Sequence, residues 1–151
     1  MKVGIVGQRS NHRAVALIGK VADRLQSEGV HVVVDETTAA EFERGGVWHG
    51  ADGEAATPVP DGIPVDGLAE CDLAVSVGGD GTFLYTARGA GTTPILGVNL
   101  GEVGFLNGVS PESAVETVRE EVEHIRETGG ARTRTMPRLR AESAEWALPP
   151  A

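Results

Sequence analysis

The sequence predicts an α/β fold in which an open, mostly parallel sheet carries helices on both of its faces. Short β-branched runs alternate along the chain with stretches whose apolar residues recur at helical spacing. The strand-like runs end directly in glycine or in polar residues, as strands that lead into loops do. A length of 151 residues leaves room for one ordinary domain with a hydrophobic core.

The beginning of the chain predicts a strand, a helix and a second strand. The apolar run at residues 3–6 breaks at Gly7, and the run at residues 30–34 is closed by Asp35. Between them a helical stripe precedes Gly29, a natural stop. The stripe consists of Ala14, Leu17, Ile18, Val21 and Leu25. Together they form a βαβ unit, whose crossover we expect to be right-handed.

The next stretch, residues 36–66, has little apolar periodicity and is punctuated by glycine and proline. It predicts a long loop with one helical turn at residues 39–43; such loops are often functional or mobile. We interpret Trp48 as an anchor that holds this loop to the core, and contact of Trp48 and His49 with a ligand is the alternative.

Two further strands follow the predicted loop. Residues 73–77 predict a buried strand, which is followed by a cluster of glycines and a short helix at residues 82–88. Residues 94–98 predict the fourth strand.

A last helix is predicted after Ser110 and Pro111, which suit the N-cap and the first helical position. Its buried stripe consists of Val115, Val118, Val122 and Ile125. We therefore predict a Rossmann-like domain over residues 1–130.

The chain is acidic, with a formal net charge of -9 from 22 acidic and 13 basic residues. Because this charge repels phosphate backbones, we expect no nucleic-acid partner. The acid excess and the use of arginine, with Lys2 and Lys20 as the only lysines, suit a protein from a salt-loving source. An ordinary acidic cytosolic protein is the alternative.

The N-terminus turns polar at Gln8, unlike a signal peptide, and no run reaches membrane-spanning length. We expect a cytoplasmic protein without a membrane partner. Cys71 is the single cysteine, and we expect its acidic neighbours Glu70 and Asp72 to raise the pKa of its thiol, so we interpret it as structural. The four histidines are too scattered to suggest a metal site.

The glycine cluster Gly78-Gly79-Asp80-Gly81-Thr82 lies between a predicted strand and a predicted helix, where open α/β sheets bind ligands. Glycines let backbone amides approach an anion, and a helix N-terminus adds a favourable dipole, so a polyphosphate fits. Asp80 would repel phosphate unless it binds a hydroxyl, a metal or a proton, and a base directed at a ribose hydroxyl meets that need. A turn in which Asp80 only caps the helix is the alternative.

The loop after the first strand, residues 7–13, is a second candidate for phosphate contact. Arg9 is the candidate donor because a guanidinium suits bidentate binding of phosphate. A solvated arginine is the alternative, and we interpret His12 as a helix-start residue.

Two motifs carry a resemblance to a known family. The GGDGT cluster resembles a signature shared by NAD kinases, diacylglycerol and sphingosine kinases and, more loosely, phosphofructokinases. Residues 97–106, GVNLGEVGFL, resemble the GxNxGxLGFL segment of NAD kinases and favour that family. The two motifs occur in the expected order and separation, and the resemblance extends over nearly the whole chain.

The resemblance implies transfer of the γ-phosphate of ATP, or of a phosphate of polyphosphate, to the 2′-hydroxyl of the adenosine ribose of NAD. It implies that Asp80 is the base that activates this hydroxyl and that Mg²⁺ accompanies ATP. Gly78, Gly79 and Thr82 belong to the phosphate loop in this interpretation.

Further site residues follow from the same resemblance. It implies that Gly81 and Leu84 line the NAD site, that Phe105 packs near the adenine, and that Asn99 and Gly101 shape the adjoining loop. For Asn99 the alternative is a turn former, and for Phe105 it is a core aromatic.

After Gly130 the pattern changes, because arginines alternate with small or apolar residues as in strands with one wet face. We predict that residues 131–151 begin a β-rich second domain. The family continues into an Asn-Glu pair that holds the ribose and a Gly/Thr/Ser-rich nucleotide segment, neither of which occurs here.

We therefore expect a fragment or a degenerate relative, inactive or nearly so alone, and the resemblance implies a homo-oligomer when full length. A non-catalytic nucleotide-binding module, a lipid kinase of the same superfamily and a bare α/β scaffold are the alternatives.

Overall fold

The structure, a computed structural model, describes residues 1–45, 59–101 and 104–137. Five parallel strands form one sheet in the order β3-β2-β1-β4-β5. The strands are β1 (Lys2–Gly7), β2 (His31–Asp35), β3 (Asp61–Ile63), β4 (Leu73–Gly78) and β5 (Ile95–Asn99). The helices are α1 (His12–Ser27), α2 (Glu36–Gly45), α3 (Asp80–Gly89) and α4 (Ala114–Thr128), with a 3₁₀ helix at Val65–Glu70. The predicted open parallel α/β fold is confirmed.

The strand order reverses between β1 and β4. Chain order runs outward from β1 through β2 to β3 on one side, and from β4 to β5 on the other. Connections that leave β1 and β4 therefore diverge, which opens a crevice at the carboxyl ends of these two strands. This crevice is where the fold itself predicts a ligand.

Helices cover both faces of the sheet, as predicted. On one face Val3 and Ile5 pack with the buried stripe of α1 and with Val118 of α4. On the other face Val6 and Ala74 pack with Leu68 of the 3₁₀ helix, and α3 lies against that helix. Because side chains alternate along a strand, β1 and β4 each supply both cores.

The predicted long loop at residues 36–66 is wrong in its described parts. It contains α2, of which Phe42 is buried, and the short strand β3. The buried Asp35 starts α2, because its carboxylate accepts hydrogen bonds from the amides of Thr37 (3.2 Å) and Thr38 (3.3 Å) and from both hydroxyls. Residues 46–58, with Trp48 and His49, lie outside the described residues.

The predicted start of the last helix is also wrong. Residues 110–113 form a turn, in which the amide of Ser113 donates to the carbonyl of Ser110 at 3.2 Å, and α4 begins at Ala114. The Ser110 hydroxyl lies 3.2 Å from the hydroxyl of Ser113. Ser110 therefore closes a turn before the helix and does not cap it.

The predicted β-rich second domain stays a prediction. Residues 131–137 form neither helix nor strand, and residues 138–151 lie outside the described residues. Arg132 is bound to the buried Glu121 of α4 by its amide (2.7 Å) and its guanidinium (2.8 Å and 2.9 Å). This pair ties the segment after α4 back to that helix. Among the described helices, none is long and apolar enough to cross a membrane.

Candidate active site

The carboxyl ends of β1 and β4 place the predicted phosphate loop at the crevice of the sheet. β4 ends at Gly78, Gly79 is the N-cap of α3, and Asp80 is the first residue of that helix. Gly79 provides no side-chain cap. The first turn of α3 therefore meets the crevice without a side-chain cap on its amides.

Asp80 joins the two sequence motifs. Its carboxylate accepts a hydrogen bond from the amide of Phe105 at 3.1 Å on one oxygen and from the amide of Leu106 at 3.2 Å on the other. Asp80 is the first residue of α3 and not its N-cap, and its carboxylate binds the segment after β5, which disfavours the alternative in which Asp80 only caps the helix. An ionised carboxylate oxygen has more than one lone pair, so each oxygen keeps capacity for a further donor such as a hydroxyl.

Gly78 lies where the two crevice loops touch. A Cβ at this position would lie 2.5 Å from Oγ1 of Thr82 and 2.9 Å from the Cβ of Gln8 in the loop after β1. Real Cβ atoms do not approach other atoms so closely. The absence of a side chain at Gly78 thus allows α3 and the β1 loop to close around the end of β4.

The second motif continues from β5 into a loop built around Asn99. The side-chain oxygen of Asn99 accepts the amide of Gly101 at 3.0 Å, and Gly104 packs against the same side chain. The amide of Leu100 donates to the carbonyl of Gly78 at 3.1 Å. Asn99 therefore forms the turn, as one interpretation expected, and that turn contacts the phosphate loop.

Two large apolar side chains are exposed beside Asp80. Phe105 is 87% exposed, so the interpretation of Phe105 as a core aromatic is wrong. Leu84 is 40% exposed and lies one helical turn after Asp80, on the same side of α3. Exposed apolar side chains next to a polar loop can pack against the flat ring of a ligand. Phe105 is therefore accessible for the predicted contact with adenine.

Arg9 reaches α3 from the loop after β1. Its guanidinium carbon lies 5.9 Å from the centroid of the Tyr85 ring, a cation–π distance. Gly81 lies one turn before Tyr85 on α3. The structure thus brings the exposed side chain of Arg9 to the helix that carries the phosphate loop.

Sequence reasoning missed Asn107, which contacts this loop. Asn107 is 8% exposed, and its Nδ2 donates to the carbonyl of Gly78 at 3.3 Å. The available signal was a polar residue directly after the second motif.

Cys71 is buried, and burial is the largest cause that raises the pKa of its thiol, ahead of the acidic neighbours. This burial agrees with the interpretation of Cys71 as a structural residue.

Within the described ranges no group of three or more His, Cys, Asp or Glu side chains could hold a metal ion.

A cleft of about 790 Å³ lies beside this site. One wall is formed by Phe83, Leu84 and Leu106, and the other by residues 131–137. Asp80 does not line the cleft. Leu84 is the predicted site residue that the two regions share.

The site can be compared with known proteins. The family model described as ATP-NAD kinase N-terminal domain matches residues 3–126. An NAD kinase of Haloarcula marismortui is 58% identical over 151 residues, which are 100% of this chain and 51% of that protein. An NAD kinase of Halobacterium salinarum is 52% identical over 151 residues, 100% of this chain and 49% of that protein. The chain thus spans about half the length of the curated relatives it matches.

Solved structures of similar proteins support the fold. An NAD kinase from Archaeoglobus fulgidus in complex with ATP superposes with a TM-score of 0.54 at 26% identity, over 83% of this chain and 38% of that chain. A yeast NADH kinase complexed with NADH superposes with a TM-score of 0.64 at 23% identity, over 83% and 38%. The second likeness concerns the fold alone.

Proposed function

This chain belongs to the ATP-NAD kinase family, and on that premise we propose that it is the N-terminal half of an NAD kinase that makes NADP. In the proposed reaction the γ-phosphate of ATP, or a phosphate of polyphosphate, passes to the 2′-hydroxyl of the adenosine ribose of NAD. The observation that carries the proposal is the Asp80 carboxylate, held by two backbone amides at the uncapped start of α3.

Asp80 is the proposed general base. The amides of Phe105 and Leu106 fix the plane of its carboxylate, so a free lone pair can be directed at the ribose hydroxyl. The proton of the hydroxyl passes to Asp80 while the hydroxyl oxygen forms a bond to the γ-phosphorus, and ADP leaves with the electrons of the broken P–O bond. Positioning of the hydroxyl is what this geometry supplies.

The uncapped first turn of α3 is the proposed phosphate contact. Gly79 and Gly81 have open space where a Cβ would lie, so a phosphate can approach their backbone closely. Gly78 and Thr82 shape the loop beneath them. Arg9 is proposed to bind the donor phosphates from the opposite side, because its guanidinium is exposed and lies over Tyr85.

Mg²⁺ is proposed to travel with the donor phosphates, whose oxygens are ligands it prefers, and to neutralise their charge. The Archaeoglobus fulgidus relative was solved with ATP, which supports ATP as the donor.

The adenine of NAD is proposed to lie against Phe105 and Leu84. Both side chains are exposed apolar surface within a short reach of Asp80, since Phe105 bonds to it and Leu84 follows it by one turn. Asn99 and Gly101 are proposed to hold the adjoining loop in shape through their hydrogen bond.

Activity is proposed to require the second half that the relatives have. We further propose a homo-oligomer in the cytoplasm, without membrane or nucleic-acid partners, that works in concentrated salt. The net charge of -9 and the similarity to relatives from halophilic organisms support the last point.

The test is NADP formation from NAD, ATP and Mg²⁺ in high salt, by the polypeptide extended to the length of its relatives. Asp80→Asn should lower kcat by about 10²- to 10⁴-fold, because the base is removed. Asp72→Asn is the matched control, since Asp72 also accepts a backbone amide, that of Lys2 at 2.7 Å, at the opposite end of β4.

Two outcomes would overturn the proposal. A folded protein that binds nucleotide without turnover would be a binding module. Phosphorylation of diacylglycerol or sphingosine in place of NAD would identify a lipid kinase.

A further inference from the structure

We propose that Asn107 is a positioning residue that holds the Gly78–Asp80 loop, and with it the Asp80 carboxylate, in the orientation for catalysis. The inference rests on the proposed function for its kinetic consequence, but its structural consequence is measured independently of any activity.

The carbonyl of Gly78 is the point at which Asn107 acts. This carbonyl accepts two donors, Nδ2 of Asn107 at 3.3 Å and the amide of Leu100 at 3.1 Å. A carbonyl oxygen has two lone pairs, and both are used here. Gly78 is the last residue of β4, so these two bonds fix the direction in which the chain enters the phosphate loop.

Asn107 directly follows the two residues whose amides bind Asp80. Phe105, Leu106 and Asn107 thus contact the loop at three points, two on the Asp80 carboxylate and one on the Gly78 carbonyl. The carboxylate is intermediate in exposure and its partners are backbone groups of a loop. Because Asn107 is the buried member of the three, it anchors the segment that presents both amides.

The side-chain amide of Asn107 packs against Gly97, where the absence of a side chain leaves room for it. A Cβ on Gly97 in β5 would lie 2.1 Å from Oδ1 of Asn107 and 3.0 Å from its Cα. The same Oδ1 is buried and has no hydrogen-bond partner among the described residues. Packing alone would be served better by an apolar side chain, because a buried unpaired oxygen is unfavourable. The bond from Nδ2 to Gly78 is therefore the contribution that distinguishes Asn107 from a filler of space.

A residue of this kind affects the rate of reaction more than substrate binding. Asn107 is only 8% exposed and so offers NAD little surface, whereas a shift of the Asp80 carboxylate misaligns the proton transfer. Loss of the Asn107 bond should therefore lower kcat and leave KM for NAD nearly unchanged.

The experiment uses the extended polypeptide with two variants, Asn107→Ala and Asn107→Leu. Leucine has nearly the shape of asparagine and no polar atoms, so Asn107→Leu keeps the space filled while the bond to Gly78 is lost. Thr93→Val is the matched control, because the Thr93 hydroxyl also donates to a backbone carbonyl, that of Cys71 at 3.1 Å, before the amino ends of β4 and β5.

Three quantities are measured: kcat and KM for NADP formation, the thermal midpoint, and the amide proton shifts of Phe105 and Leu106. We expect Asn107→Ala to lower kcat by roughly 10- to 100-fold with KM for NAD changed less than about threefold. Asn107→Leu should have a higher thermal midpoint than Asn107→Ala but not a higher kcat. Both variants should move the two amide shifts, and Thr93→Val should not.

A kcat in Asn107→Leu that is retained together with the thermal midpoint would overturn the inference, since Asn107 would then only fill space. Unchanged amide shifts in Asn107→Ala would overturn it as well. If the unsubstituted polypeptide makes no NADP, the proposed function fails, and the amide shifts alone decide the role of Asn107.

Discussion

Two neighbouring corners of the sheet, one after β1 and one after β4, start helices in opposite ways. After β1 the side chain of Asn11 caps α1 and accepts the amides of Arg13 (3.0 Å) and Ala14 (3.3 Å). Gln8 in turn accepts the side-chain amide of Asn11 at 3.0 Å. After β4 the N-cap is a glycine without a side-chain bond.

The difference identifies the corner that is open to a ligand. Side chains satisfy the first turn of α1, whereas Asp80 turns away from the first turn of α3 and binds the segment after β5. A helix N-terminus that is capped from within is not available to an anion, and an uncapped one is. In the proposed site the β1 corner therefore contributes only a side chain, Arg9, and the β4 corner contributes its backbone.

Gly78→Ala should have the largest effect on this arrangement, because its Cβ would collide with both corners. We expect kcat to fall by about 10²-fold and the free energy of unfolding to fall by about 1–3 kcal/mol. NADP formation and chemical denaturation measure the two effects. Gly130→Ala is the control, since a Cβ there has nothing within 4 Å. Full activity of Gly78→Ala would show that the corners are not closely packed.

Arg9→Ala should have a smaller effect, and this effect should concern only the binding of the phosphoryl donor. We expect KM for ATP to rise by about tenfold, equivalent to about 1.4 kcal/mol, with little change in stability because the side chain is exposed. Arg13→Ala is the matched control, an exposed arginine on the same corner. An equal rise in both variants would indicate a general charge effect in place of a specific contact.

Asn11→Ala should have the smallest effect on activity. Loss of the cap of α1 should lower the free energy of unfolding by about 1 kcal/mol, measured by urea denaturation. Asn11→Asp keeps a cap oxygen and should stay near the unsubstituted value. If Asn11→Ala lowers kcat by more than its loss of stability can explain, the expectation is wrong, and the backbone after β1 takes part in the site.

The parts of the fold that the sequence predicted were those with strong local signals. The buried strands β1, β2 and β4 are continuous β-branched or apolar runs, and α1 has a regular stripe that ends near Gly29. α2 was missed because its start depends on the buried Asp35, whose role as a cap is visible only when Thr37 and Thr38 are folded around it. The edge strand β3 has three residues, too few for a period to be recognised.

The candidate site was located from the GGDGT cluster and from the second motif, since both follow strands. What the sequence did not predict is the contact between them. Asp80 is 25 and 26 residues away from the amides that it binds, and Asn107 is 29 residues from Gly78. Such contacts depend on the parallel register of β4 with β5, in which Gly78 pairs with Asn99, and no local pattern encodes that register.

The most direct test follows the backbone amides of both corners by NMR while NAD is added to the extended polypeptide. We expect the amides of residues 79–82 and 105–106 to shift, and those of Arg13 and Ala14 to stay in place. Shifts at Arg13 and Ala14 without any at residues 79–82 would contradict this expectation, because the capped corner would then be the one that binds the ligand.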